Sequence, residues 1–299
     1  MDSARVVIVV LNWNGRADTV ECLDSLRSIT YPSYEILVVD NGSADGSVEA
    51  FRDKYPGLEV IVNEKNFGYA EGNNIGIRRA IEKKADYIML LNNDTVVDPS
   101  FLDELITAAE ADPLVGFAGP MVYYYDYAGR KDVINFAGGK INLLTGSSRH
   151  LGLKQVDKGQ FGRVREVDYV DGSCILVRAD TLDKIGLLDP TFFTYWEEAD
   201  WCLRGRDAGY KLLYVPTSKI WHKISASATG KSYTYYFARN QFLFMKKHVS
   251  KKRYYLFLLY YFAIRLWIMG GYMVVYKKDM SRLSPLFKGI LDGLTIYNK

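Results

Sequence analysis

YIMLLNNDTVVD, residues 87–98, decides how this chain folds. Tyr87 to Leu91 is a short apolar run with the pattern of a buried strand. It stops abruptly at Asn92-Asn93-Asp94-Thr95, and folding alone asks for no such group of amides and acid at the tip of a core strand. In open α/β sheets, ligands bind at the carboxyl ends of the strands. A carboxylate there, backed by two amides, suits a hard divalent cation held by one or two protein oxygens and substrate phosphates. A plain turn, with Asn and Asp bonding their own backbone, would leave the same pattern.

Outward from this stretch the chain alternates strand and helix signals. Val6 to Leu11 is a continuous β-branched run, expected as a strand buried on both faces, with Asn12-Trp13-Asn14-Gly15 as its loop. Helical spacing covers 18–28 and ends before Tyr31-Pro32. A strand over 35–39 runs into Asp40-Asn41-Gly42-Ser43. A short helix over 47–55, a strand over 58–62 and a helix over about 69–84 precede the organising strand. A helix over 99–112, with Pro99 at its start, and a strand over 115–120 follow it. This alternation predicts an α/β, doubly wound, mostly parallel sheet. The second half is less regular: short strands and Gly-rich turns over 121–165, and a strand pair over 167–178 around Asp171-Gly172-Ser173. A helix is expected over 179–185, another over about 195–208, and a strand over 211–215 followed by Ile220-Trp221-His222. Beyond Tyr233 the chain is helical in pattern and very aromatic.

The 299 residues suffice for one large α/β domain or two small ones. Thirty-eight Lys and Arg against 35 Asp and Glu leave a net charge of +3, which excludes a nucleic-acid-binding charge excess. Cys22, Cys174 and Cys202 are too widely spaced for a disulfide framework or a zinc site, as expected of a reducing compartment. The N-terminal apolar run is too short for a signal peptide and reads as the first strand. No G-x-G-x-x-G follows that strand, which argues against a dinucleotide enzyme, and Ala228-Thr229-Gly230-Lys231-Ser232 fails as a phosphate loop because Ser225 stands where glycine is required.

Several residues then stand out as candidates. Asp40, at the end of the second strand, can accept from a base imide or a ribose hydroxyl, or simply form an Asx turn. Asn66-x-Gly68-x-x-x-Gly72-Asn73-Asn74-x-Gly76 puts glycines around a helix N-terminus, where free N–H groups favour a diphosphate; the same glycines could serve only helix–sheet packing. Thr194-x-x-Glu197 has the capping-box pattern, and Asp200 lies four residues before Arg204, within pairing distance on one helix face. Glu198 has no such structural explanation and is the best general-base candidate. His222 follows an apolar strand and can supply an imidazole beside Asp94.

Taken together, these residues resemble an inverting family 2 glycosyltransferase of the GT-A fold, in its rhamnosyltransferase-like branch. The resemblance spans roughly residues 5–245 and rests on VVIVVLNWNG, VVDNGSADGS, NEKNFGYAEGNNIGI, LLNNDT, VDGSCILVR, FFTYWEEADWCLR and the Tyr-Tyr-Phe-Ala-Arg239-Asn240 run, in that order. It implies that Asn92-Asn93-Asp94 occupies the family's D-x-D position, with Asn92 in place of the first acid and Asp94 as ligand to Mg²⁺ or Mn²⁺. His222 would lie near the metal or diphosphate. The family's Glu-Asp pair falls on Glu197-Glu198, so Glu198 would be the base, with Glu197 and Asp200 as further acids of the site. Nucleotide contacts would fall on Leu11, Asn12, Asp40, Asn66, Gly68, Asn73 and Asn93. The implied donor is a UDP- or dTDP-sugar and the implied acceptor a glycan or lipid-linked hydroxyl. Two rivals are a sugar-phosphate nucleotidyltransferase, whose Gly-rich, Arg-containing first loop is absent, and a non-catalytic sugar-nucleotide-binding protein.

The catalytic unit is expected over 1–245, with a nucleotide-binding half to residue 120, and a helical, membrane-associating region over 246–299. Tyr254 to Tyr276 is almost wholly apolar and long enough to span a bilayer. Arg265 at its middle, Gly270-Gly271, and basic residues on both sides (Lys246, Lys247, Lys251, Lys252, Arg253; Lys277, Lys278, Arg282) oppose a single span. An in-plane or re-entrant helix pair on the cytoplasmic membrane face fits better. The alternative is a buried helix or a homo-oligomer contact.

Overall fold

A computed structural model describes residues 3–224 and 230–296. Ser225 and Ala228-Thr229 of the rejected phosphate-loop pattern lie outside them. The first half builds the expected alternation: β1 (Val6–Asn12), α1 (Arg16–Leu26), β2 (Tyr34–Asp40), α2 (Ser47–Lys54), β3 (Glu59–Val62), α3 (Gly68–Glu82), β4 (Tyr87–Asn92), β5 (Thr95–Val97), α4 (Phe101–Glu110) and β6 (Val115–Tyr124). The second half adds β7 (Ile134–Phe136), a separate hairpin of β8 (Gly139–Asn142) and β9 (Ser147–His150), then β10 (Arg165–Glu166), β11 (Cys174–Arg178), α5 (Leu182–Ile185), α6 (Glu197–Asp207) and β12 (Lys211–His222).

The sheet runs in the order β10-β12-β6-β11-β4-β1-β2-β3. β3, β2, β1 and β4 are mutually parallel, β11 enters antiparallel between β4 and β6, and β12 returns parallel to β6. The strand pair expected around Asp171-Gly172-Ser173 therefore does not form: Arg165–Glu166 joins β12, while Cys174–Arg178 joins the middle of the sheet. Helix–sheet packing explains the buried core. Val6 to Val10 and Tyr87 to Leu91 are covered on both faces, and Gly76 lets α3 lie close on β1, since a Cβ there would stand 2.3 Å from Val9 Cγ1.

A second core joins α6 to three C-terminal helices, α7 (Lys231–His248), α8 (Lys251–Tyr276) and α9 (Leu283–Thr295). Phe192, Trp196, Leu203, Phe242, Phe244, Phe257, Tyr261 and Ile290 pack together there. α7 runs across the boundary expected at residue 245. α8 continues through Gly270-Gly271 as one helix, not the helix pair that was expected, with π-helical turns at Tyr261–Arg265 and Tyr272–Tyr276. It is not the buried helix that was the alternative: only 6% of its apolar window is covered, and Trp267 and Val275 are 72% and 75% exposed. Lys247, expected among the basic flank, is instead tied to Asp189 and Asp200 at 2.7 and 2.8 Å; Lys251, Lys252 and Arg253 remain exposed.

Candidate active site

The polar tip of the organising strand is a turn, but one whose side chains reach outward. Asn93-Asp94 joins β4 to β5, and the Thr95 hydroxyl donates to the Asn92 carbonyl at 2.7 Å. β5 then doubles back along β12 with Thr95 opposite His222. That register delivers the imidazole to the carboxylate: His222 Nε2 lies 3.0 Å from Asp94 Oδ1. Burial alone would lower the His222 pKa, but hydrogen bonding to Asp94, then the charges of Asp94 and Asp171, outweigh it and hold the imidazole above its ordinary value. Asn93 points the other way, its amide donating to Thr19 Oγ1 at 2.8 Å and Asn12 Oδ1 at 3.2 Å.

Glu198 comes to the same edge of the sheet from α6. It stands over the Asp171-Gly172 turn, where a Cβ on Gly172 would lie 3.7 Å from its Cβ and Cγ. Burial is the main reason its carboxyl is raised to about 7; backbone N–H groups in the first turn of α6 pull it down, and the charge of Asp171 pushes it up again. A carboxyl poised near neutrality is what a general base requires. Asp171 acts through its charge on both Glu198 and His222. It holds its own turn through the Ser173 N–H at 2.9 Å and lies 3.8 Å from His150 Nε2.

A family model for glycosyl transferase family 2 matches residues 6–186. This chain is a family 2 glycosyltransferase. An N-acetylglucosaminyl-diphospho-decaprenol L-rhamnosyltransferase of Mycobacterium tuberculosis is 25% identical over 242 residues, covering 75% of this chain and 77% of that protein. The low-salt glycan biosynthesis hexosyltransferase Agl10 of Haloferax volcanii is 24% identical over 298 residues, covering 96% and 90%. Among solved structures, the mannosyltransferase PcManGT from Pyrobaculum calidifontis in complex with GDP-Man and Mn2+ matches with a TM-score of 0.62 at 15% identity, over 99% of this chain and 88% of that one. The GT-A fold and the rhamnosyltransferase-like branch expected from the motifs both hold, and the two rival classes give way.

Other candidate residues of the glycosyltransferase are placed with more mixed results. Asp40 is wholly buried; its Oδ2 accepts from the Asn12 amide at 2.6 Å and its Oδ1 from the Ser43 N–H at 2.9 Å. A base reaches it only if this loop gives way. The N-terminus of α3 has no free N–H groups for a diphosphate: Gly68 N–H donates to Asn66 Oδ1 at 2.8 Å, and the N–H groups of Tyr69 and Ala70 donate to the Phe193 carbonyl at 2.7 and 3.2 Å. Packing accounts for the glycines here. A Cβ on Gly72 would stand 2.7 Å from Leu11 Cδ1, and the Asn73 amide is spent on the Tyr69 carbonyl at 3.0 Å.

The capping box is also not formed. Glu197 is the first residue of α6, not its third, because Trp196 precedes it in a left-handed conformation. Glu197 is buried with Oε2 unpartnered, and burial, followed by the charge of Glu198, raises its pKa well above the ordinary carboxyl value. Asp200 pairs with Arg204 as expected, at 2.9 Å. It is 0% exposed and also meets Lys247 and His248 at 2.8 Å each. Burial pushes its pKa up, but His248, Arg204 and Lys247 outweigh this and hold it low. Asp200 thus braces α6 against α7 and does not face the cleft.

Two functional features had no local sequence signal. Asp171 draws its role from His150, His222 and Glu198, which arrive from distant segments. The other is the segment before α6, where Phe193, Tyr195 and Trp196 all have positive φ, at 64°, 68° and 77°. Bulky side chains rarely hold such angles, at a cost of about 1–3 kcal/mol each. The Asn240 amide lies 2.7–2.8 Å from the carbonyls of Phe192, Thr194 and Tyr195, and Arg239 donates to those of Thr191 and Phe192 at 2.6 and 2.7 Å. These bonds hold the segment that presents Glu198. Asn240→Ala should therefore destabilise the protein by about 1–3 kcal/mol through carbonyls left unpaired and lower kcat more than donor affinity. Urea unfolding and steady-state kinetics check this; a wild-type midpoint together with wild-type kcat would overturn the clamp.

Proposed function

We propose that this glycosyltransferase is metal-dependent and inverting. It moves rhamnose or another hexose from a UDP- or dTDP-sugar to a hydroxyl of a glycan or lipid-linked acceptor. The observation that carries the proposal is that the Asp94–His222 pair and Glu198 come within the field of the same carboxylate, Asp171. Asp94 Oδ1 and His222 Nε2 are separated by 3.0 Å, close to the spacing of about 3 Å between adjacent ligands of an octahedral ion bound at about 2.1 Å. Among the described residues no three His, Cys, Asp or Glu side chains are arranged to hold a metal ion by themselves. That fits Mg²⁺ or Mn²⁺ held by few protein ligands with substrate phosphates completing the shell. A cation bound there would supply positive charge to the departing nucleoside diphosphate.

Glu198 accepts the proton of the acceptor hydroxyl as that oxygen bonds to the anomeric carbon. The bond from that carbon to the diphosphate oxygen breaks on the opposite face, its electron pair leaving with the nucleoside diphosphate, and the configuration inverts. Burial, with the charge of Asp171, keeps Glu198 basic, and the loops that carry Asn12, Asp40, Asn66 and Asn93 are the proposed nucleotide wall. We also propose that residues beyond about 245 form the attaching region. The exposed apolar face of α8, flanked by Lys251, Lys252 and Arg253, would rest on the cytoplasmic face of the membrane.

Glu198→Gln should lower turnover about 10²–10⁴-fold with donor binding preserved, whereas Glu197→Gln, at a buried side chain of α6, should do far less. The reverse ranking would move the base to Glu197. Because the Glu198 carboxyl is raised and must be ionised to act, kcat/KM should fall as the pH drops below about 7; a profile flat from pH 5 to 8 would contradict this.

Asp94→Ala should abolish metal-dependent turnover in a folded protein. Full activity in that variant, still lost with a chelator, would remove Asp94 from the metal site. In cell fractionation the full-length chain should sediment with membranes, and complete solubility in low salt without detergent would leave α8 as an oligomer contact.

A further inference from the structure

Between α7 and α8 lies a cavity of about 260 Å³ that the transfer chemistry does not use. Its inner wall is aromatic, from Tyr233 and Phe237, and three cationic side chains line it: Arg265, Lys277 and Arg282. No acid does. Asp279 pairs with Arg282 at 2.8 Å from outside the lining, and Lys277 lies over the Tyr272 ring at 5.8 Å. Arg265 ends a π-helical turn and has its Nε buried with no hydrogen-bond partner. A buried guanidinium donor without an acceptor is costly and marks a place for an anion.

The position of the cavity says which anion. Its outer rim merges with the exposed apolar face of α8, at Ile268 and Tyr272. Its inner wall touches the catalytic segment: the Tyr233 ring lies 5.0 Å from Tyr195 and the Phe237 ring 5.4 Å from Trp196, and those two residues immediately precede Glu197-Glu198. A ligand here has its charged group one aromatic layer from the base and its apolar part on the outer face of α8. We infer that this cavity binds the diphosphate of a polyprenyl-linked acceptor, with Arg265 as its main contact. This rests on the proposed transfer to a lipid-linked hydroxyl and gives that acceptor its binding place. A bilayer phospholipid carries the same phosphate ester chemistry, but it has no need to stand beside the base, and a single phosphodiester matches Arg265 and Lys277 together less well than a diphosphate does.

The test uses the full-length protein in detergent and farnesyl diphosphate as probe, read by calorimetry, with farnesol and phosphatidylglycerol vesicles as the other arms. Farnesyl diphosphate should bind and farnesol should not. Arg265→Gln should weaken binding by about 10-fold or more, as expected for loss of a charge-assisted contact, Arg265→Lys should recover part of it, and Lys277→Gln, at an exposed position, should weaken it by a smaller factor. Circular dichroism shows whether each variant is folded. Unchanged affinity in folded Arg265→Gln and Lys277→Gln would overturn the inference, as would an equal loss of vesicle binding, which would assign the cations to the bilayer. Sugar turnover separates the two levels: no turnover of any nucleotide-sugar defeats the transfer reading itself. Turnover onto a lipid acceptor with an unchanged acceptor KM in both variants defeats only this cavity.

Discussion

The hydrogen bonds from Arg239 and Asn240 to the carbonyls of Thr191 through Tyr195 are the constraint on which the site depends. Three aromatic residues with positive φ do not persist unless their surroundings over-determine them. Here the surroundings are one turn of α7, inserted against the backbone just before α6. Ring packing adds to it, with Trp196 against Phe237 and Phe244, and Phe193 stacked on Tyr236. The result is a helix whose first residues are aimed by the C-terminal third of the chain. Glu197 and Glu198, adjacent in sequence, acquire opposite environments: one is buried with its carboxyl pushed up by that burial, the other overhangs the Asp171-Gly172 turn.

Sheet pairing sets the other half of the site. β5 is only three residues long, yet its antiparallel pairing with β12 places Thr95 opposite His222, and so Asp94 beside the imidazole. A slip of one residue would turn His222 to the other face. The Asp94–His222 pair is thus set by backbone hydrogen bonds in the interior, while Glu198 is set by side chains donating to a loop. Asp171, at the start of the one reversed strand in the middle of the sheet, lies where the two systems meet.

Much of this was legible in the residues themselves. Period and turn chemistry located the parallel half of the sheet, because β1 and β4 are buried on both faces and bounded by loops of short polar residues. The polar tip at Asn92-Asn93-Asp94 was conspicuous for the same reason. Elsewhere, local patterns had local explanations that distant contacts overrode. Thr194-x-x-Glu197 matches a capping box, but the left-handed turn at Trp196 delays the helix. The glycines of α3 match a phosphate cradle, but the Phe193 carbonyl, more than a hundred residues away, already occupies the amides. Asp171 and Asn240 were visible only as parts of longer motifs, since their partners come from segments that no spacing rule connects.

The family match stops at residue 186, and the chain could not be cut there. β6 would lose β12, its partner along nearly its whole length, and become an open edge with unpaired amides. α3 would lose the carbonyl that caps it. What similarity delimits as the shared catalytic segment is therefore not an independent folding unit. Its central strands are completed, and its helix is stopped, by the less uniform chain that follows. A fragment built to that boundary would present a sticky sheet edge in place of an enzyme.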